Sequence, residues 1–328
     1  MSKVLDSRKE LVDRLIEQMK EGKLVWDAGH AQLAFGLNPT TGKQYRGGNI
    51  IRLKLSSVFR NFKDPRWMTF KQGTSLGYKL KKGSKGTLLE KYQPPEYKKE
   101  IDENGDLWLS NVPEKPGFIK GFYVFNAEQF ENIPALDMKE YDHGEQDKIF
   151  ASMLERSEAK IYLDELTRNY YRLDTDEIHV MDSKFYKDIR DWYGTVAHEI
   201  GHSTGHESRL DRPMKGRFGS IPYAKEELRA ELTSAMLCQE FGFQRPEHEK
   251  NNAAYLQSWI QVLKNDPNEL FRAAADASRA VDYIKEHMMD KTLLRDFESA
   301  RLPDLNKEIE KEKTQLSVSK PTGKGLER

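Results

Sequence analysis

Apolar residues recur at helical spacing through most of the second half of the chain and only in patches through the first. Between Asp188 and Thr204, Ile189, Trp192, Tyr193, Val196, Ala197 and Ile200 repeat at the three-and-four spacing of an amphipathic helix. A second run begins at Tyr223 and reaches about Glu240, with Leu228, Leu232, Ala235 and Met236 on its apolar face. Further helices are predicted over 1–22, near 147–158, and over 252–265 and 267–288. Residues 177–181 alternate like an edge strand. In the first half, the turn-rich segment 38–49 leads into an apolar helix from Ile50 to Phe59, and a strand with a tight basic turn follows over 79–91. Residues 94–117 read as a polar, Pro-containing insertion, and 303–328 lack apolar periodicity and are expected to be disordered. The pattern predicts an α+β protein of two domains. An α+β domain spans 1–136, a linker 137–146, a mostly helical domain with a small sheet 147–291, and a charged tail, expected to be disordered, 292–328.

Composition narrows the class. No run of about 18 apolar residues occurs, so no transmembrane helix is expected, and the charged N-terminal helix lacks the apolar stretch of a signal peptide. Cys238 is the only cysteine, so an intrachain disulfide is excluded; a reducing cytoplasm is expected, with Cys238 acting as a small buried hydrophobe. The net charge of zero conceals a division. Residues 1–130 hold 23 Lys and Arg against 15 Asp and Glu, and 38–91 alone hold 13 against two.

The strongest chemical signal is His198-Glu199-Ile200-Gly201-His202. On a helix, residues four apart lie on one face, so both imidazoles can hold one metal ion with Glu199 beside the open coordination position. A zinc ion held by two His and one acid keeps a water and lowers its pKa to about 7, and Glu199 would take the proton as that water attacks a carbonyl. Gly201 lies inside this helix, where Gly costs about 1 kcal/mol against Ala; it points to close approach of another backbone or a ligand. Gly205 is the expected C-cap. On the second helix Glu227 is the expected third ligand. Glu231, one turn on, is expected to accept a hydrogen bond from a ligand imidazole or to ligate in its stead. Glu226 is expected to lie toward Arg229 and Thr233. Tyr223 and His206 are candidates for steadying the charge that develops on a substrate oxygen, as are Arg209 and Arg212, although a loop held by salt bridges accounts for these residues equally well. His179 reads as a strand side chain.

In the basic half, Lys43, Arg46, Arg66, Lys71, Lys81, Lys82 and Lys85 are interleaved with Tyr45, Trp67, Phe70 and Tyr78. Cations for phosphates and rings for unpaired bases suit single-stranded DNA. The alternative is a solvated basic face with Trp67 and Phe70 in the core.

Several motifs in one order carry a family resemblance. They include Asn38-Pro39, Thr41-Gly42-Lys43, Tyr45-Arg46-Gly47, Pro65-Arg66-Trp67, Thr69-Phe70-Lys71-Gln72, Lys82-Gly83 and Val124-Phe125-Asn126-Ala127. Then come His198-Glu199, Gly201-His202, Thr204-Gly205-His206, Ser208-Arg209-Leu210, Glu226-Glu227-Leu228, Ala230-Glu231 and Ser258-Trp259. Up to about residue 290 the chain resembles the ArdC-type antirestriction proteins of mobile elements. The resemblance implies an N-terminal domain that binds single-stranded DNA and a C-terminal zincin-like metallopeptidase domain. It also implies a cytoplasmic role in protecting incoming DNA, in the recipient cell if the protein is delivered with it. Zn(2+) is the expected metal, with Mn(2+) as the alternative, and the expected protein substrate is a restriction-system component. Ser203 stands where relatives carry Trp. The competing reading is a non-enzymatic protein that coats single-stranded DNA and whose metal is structural or vestigial.

Overall fold

The computed structural model describes residues 3–24, 36–101, 107–134, 136, 142–165, 167–217, 219–243 and 253–301, with side chains left undescribed at a few segment ends. The elements run in order α1 (Lys3–Lys20), β1 (Leu37–Asn38), β2 (Lys43–Gln44), α2 (Gly48–Arg60), β3 (Trp67–Met68), α3 (Phe70–Ser75), β4 (Lys79–Leu80) and β5 (Thr87–Gln93). They continue with β6 (Glu96–Ile101), β7 (Leu107–Lys115), β8 (Phe118–Asn126), β9 (Phe130–Glu131), α4 (His143–Glu155), β10 (Lys160–Glu165), β11 (Tyr170–Arg172) and β12 (Glu177–Met181). The last are α5 (Ile189–Ser203), α6 (Ile221–Phe241), α7 (Ala253–Asn265), α8 (Glu269–His287) and α9 (Lys291–Arg301). The α+β class is as expected, with small sheets in both halves and long helices after residue 188.

The first half is built on the antiparallel β5–β8 pair, extended by β3 to give the order β3-β8-β5. Leu53, Trp67, Leu89 and Val124 form a small core beneath it. In the second half β10 and β12 are parallel and β11 is antiparallel to β12. The strand 177–181 is therefore central, not the edge expected; β12 is flanked on both sides by strands that sequence alternation does not register.

The largest core joins both halves. Val12, Leu15, Ile16 and Met19 of α1 and Ile50, Ile51 and Leu55 of α2 share one cluster with Val196, Ile200, Leu228, Trp259 and Ala274. Glu90 of β5 accepts from Arg8 and Arg52, whose guanidiniums lie 4.7 and 4.9 Å from the Phe271 ring of α8. Arg8 also donates to Asn268 at 2.8 Å. Arg52 is 2% exposed, so its charge must be paired where it sits.

Three boundaries depart from the sequence reading. The insertion 94–117 contains the β6–β7 hairpin, whose alternation is broken by register shifts near Glu96 and Tyr97. The linker's last residues, from His143, already belong to α4, capped by Asp142. The tail begins with a helix, α9, because Phe297 buries against Phe241 in the main core. The expected disorder over 303–328 lies outside the described residues.

Candidate metal centre

Two helices build the site. Asp188 caps α5, accepting from the Arg190 amide at 2.9 Å, and the Arg190 guanidinium beside it lowers its carboxyl to about 2. Ser220 caps α6 and Pro222 stands in its first turn. The helices cross where Gly201 sits. A Cβ there would lie 3.3 Å from Thr233 Cβ and 3.4 Å from the Ala230 carbonyl oxygen. The glycine thus permits the close approach that its position in the helix suggested, and it sets the His face of α5 against the acidic face of α6.

That approach gathers His198, His202 and Glu227, whose potential ligand atoms all lie within 4.8 Å of one another. His198 Nε2 is 3.6 Å from one Glu227 oxygen and His202 Nε2 is 3.5 Å from the other. A tetrahedral ion with bonds of 2.0–2.2 Å holds its ligand atoms about 3.3–3.6 Å apart, so both His–Glu separations already match those around a divalent metal. The opposite imidazole nitrogens face acids. His198 Nδ1 is 3.7 Å from Glu231 and His202 Nδ1 is 3.3 Å from Glu226. Carboxylates in those places fix ring orientation and leave Nε2 for the metal.

Electrostatics follow from this packing. Burial alone would lower the pKa of His202, but Glu227 and Glu226 override it and push it up to about 10. Burial likewise opposes a charged His198, and Glu227 raises it. Burial would raise Glu227, yet His202 and His198 hold its carboxyl well below the usual carboxylate range. Burial, and then the charge of Glu227, push Tyr223 well above the ordinary tyrosine range, so its hydroxyl stays protonated at neutral pH. That hydroxyl lies 3.1 Å from the hydroxyl of Tyr255, which α7 brings over the site.

Glu226 is the main correction here. It lies on the side of α6 that carries Thr233, as expected, but that side packs on α5 at Gly201. It is 5% exposed, faces His202, and is held by Arg212 at 2.6 and 3.1 Å. Arg212 also donates to Thr204 Oγ1 and the Gly201 carbonyl. Gly205 is not a left-handed cap; Thr204 ends α5 in helical geometry. A Cβ at Gly205 would meet Met214 Sδ at 2.4 Å and Arg212 at 2.9 Å, so this glycine makes room for the arginine. Arg209 is spent on Asp176 and on the Ser203 carbonyl. His206 stands outside the metal trio, with Nδ1 2.8 Å from Ser208 Oγ. Glu226, Arg212 and Tyr255 acquire their positions by tertiary contact; a third acid beside Glu227 was the one visible hint.

In the basic half the structure separates the candidates. Trp67 is 1% exposed and packs edge-on against Phe62, so the expected base contact is not available to it. Arg66 is buried on Asp64 and the Pro134 carbonyl, which removes it from the phosphate contacts as well. Tyr45 donates to the Trp67 carbonyl and burial raises it to about 12. Arg46 is paired with Asp282 of α8. Lys43, Lys71, Lys81, Lys82 and Lys85 are exposed, as is Phe70.

Residues 5–125 match the N-terminal domain of anti-restriction factor ArdC, and 148–276 match the zincin-like metallopeptidase family. The metal-free crystal structure of the antirestriction ArdC protein from plasmid R388 superposes with a TM-score of 0.67 at 30% identity, over 86% of this chain and 97% of that one. The chain belongs to the ArdC-type antirestriction family. The Mn(II)-bound crystal structure of the same R388 protein gives a TM-score of 0.68, over 87% of this chain and 98% of that one. A DNA primase TraC of Escherichia coli is 39% identical over 288 residues, 84% of this chain. The chain spans about a quarter of that relative's length, 26%. No helix among the described residues of this ArdC-type chain is long and apolar enough to cross a membrane.

Proposed function

We propose that this protein binds single-stranded DNA through residues 1–136 and hydrolyses a peptide bond at the metal centre of residues 147–291, thereby protecting incoming DNA. The observation that carries the peptidase half is the trio His198, His202 and Glu227, with Glu199 on the same helix as the two histidines. Its two imidazoles and one carboxylate suit zinc, and Mn(II) is bound by the R388 relative. When bound, such an ion lowers the pKa of its water to about 7 and polarises a carbonyl. Glu199 takes the proton of the attacking water and passes it to the leaving amine. The protonated Tyr223 hydroxyl donates to the oxygen that gains charge. The protein substrate is then a component of the restriction system met by the incoming DNA. If a Glu199→Gln protein shown to hold metal cleaves peptide as fast as wild type, the assignment is wrong.

A second reading, in which the protein coats DNA without cleaving anything, draws on the exposed Lys43, Lys71, Lys81, Lys82 and Lys85, which can meet phosphates without any metal. Full protection of DNA in cells by a folded His198→Ala protein would establish that reading; loss of protection favours the peptidase.

A further inference from the structure

We propose that single-stranded DNA seats in the cleft between α1, the C-terminal end of α2 and the β5–β8 pair, with Arg14 and Arg60 on its phosphates and an unpaired base against Tyr123. The inference rests on the single-strand reading above and names its site. The cleft has a volume of about 390 Å³, in the range of sites that hold a nucleotide-sized group.

Arg14 and Arg60 both line it and both are exposed. They face one cleft, and burial, then the charge of Arg14, lower the pKa of Arg60. Among the described residues neither forms an ion pair with a carboxylate, although Asp6 and Glu10 line the same cleft. Two like charges facing one cleft are relieved when an anion joins them. Each is held without being neutralised. The Arg14 guanidinium lies 3.8 Å from the centre of the Phe59 ring, and Arg60 donates to the Lys85 carbonyl at 2.7 Å. That last bond ties the cleft to the turn carrying exposed Lys82 and Lys85, which extends the positive track.

The aromatic wall is also built. Tyr123 lines the cleft and is 43% exposed, and Gly86 packs against one flank of it, where a Cβ would lie 3.1 Å away. Asp6 and Glu10 repel a phosphate but accept N–H groups from a base edge. The base therefore occupies the cleft and the phosphates stay at the arginines. A cavity of about 440 Å³ near Arg46 is unlike this one. There Arg46 is paired with Asp282, and Lys285 with Glu240 and Glu298.

The test is fluorescence anisotropy of the full-length protein with a labelled oligothymidylate across a salt series, beside thermal melts. Replacing Arg14 and Arg60 together by Ala should reduce the slope of log K against log salt by about 1.4, since each lost phosphate contact on a single strand removes about 0.7. Lys at both positions should restore the slope. Tyr123→Leu should weaken binding roughly 5- to 150-fold at every salt concentration, with the slope unchanged. If wild type binds and these folded variants match it in Kd and slope, the siting is overturned and the single-strand reading stands. If wild type itself fails to bind at low salt, that reading falls, and this one with it. A duplex that competes as well as the single strand would overturn the base contact.

Discussion

Glu226→Gln is the most informative substitution at the metal centre. It preserves shape and one acceptor for His202 Nδ1, now at 3.3 Å, but removes the charge that faces both His202 and Arg212. Carboxylates behind a ligand imidazole typically account for 10- to 100-fold in metal affinity, or about 1.4–2.7 kcal/mol. Stability should fall too, because the Arg212 side chain is only 6% exposed and loses its counter-charge. It keeps its hydrogen bonds to Thr204 and Gly201, so the cost should stay at or below the about 3–5 kcal/mol of breaking a buried pair. A chelator-competition titration with zinc and manganese reads the first effect and a melt of the metal-free protein reads the second. Replacing Glu226 and Arg212 together by Leu should recover much of the stability but not the affinity. A folded Glu226→Gln protein whose metal titration overlays wild type would refute the reasoning.

Four other outcomes are expected. Trp67→Ala should destabilise the fold by about 3–5 kcal/mol, because the ring is 1% exposed, and should leave the single-strand affinity of the folded fraction unchanged; a wild-type melt with weakened DNA binding would contradict this. Metal binding near neutral pH should release a proton, because His202 in the metal-free protein is pushed up to about 10; calorimetry in buffers of different ionisation enthalpy measures it. By the same shift, protonated His202 adds stability to the metal-free fold below about pH 6.5 and that gain is lost as pH rises through about 10, so a metal-free melting temperature that climbs over this window through His202 would be the wrong sign. Phe297→Ala should cost about 3–5 kcal/mol, since α9 buries this ring in the main core; an unchanged melt would show that the helix is dispensable.

What the chain determined by itself is local. The spacing of His198 and His202 follows from the helical repeat, and the apolar stripe around them guarantees the helix. Glu227 and Glu231 could be nominated because acids on an inward face need partners. The glycine at 201 foretold a close crossing without saying what crosses. Tertiary structure decided the rest, because it joins residues whose separation along the chain carries no periodic signal. Arg212 reaches Glu226 across 14 positions, and Tyr255 meets Tyr223 across 32. The same limit explains Trp67 and Arg66. A basic, aromatic stretch has the composition of a nucleic-acid surface whichever way its side chains point; the β3–β8 pairing turns Trp67 inward, and Asp64 with the Pro134 carbonyl holds Arg66. It also explains why the boundary between the halves is blurred. The amphipathic faces of α1 and α2 show that they must be buried, but not that the surface covering them belongs to helices more than 150 residues further on.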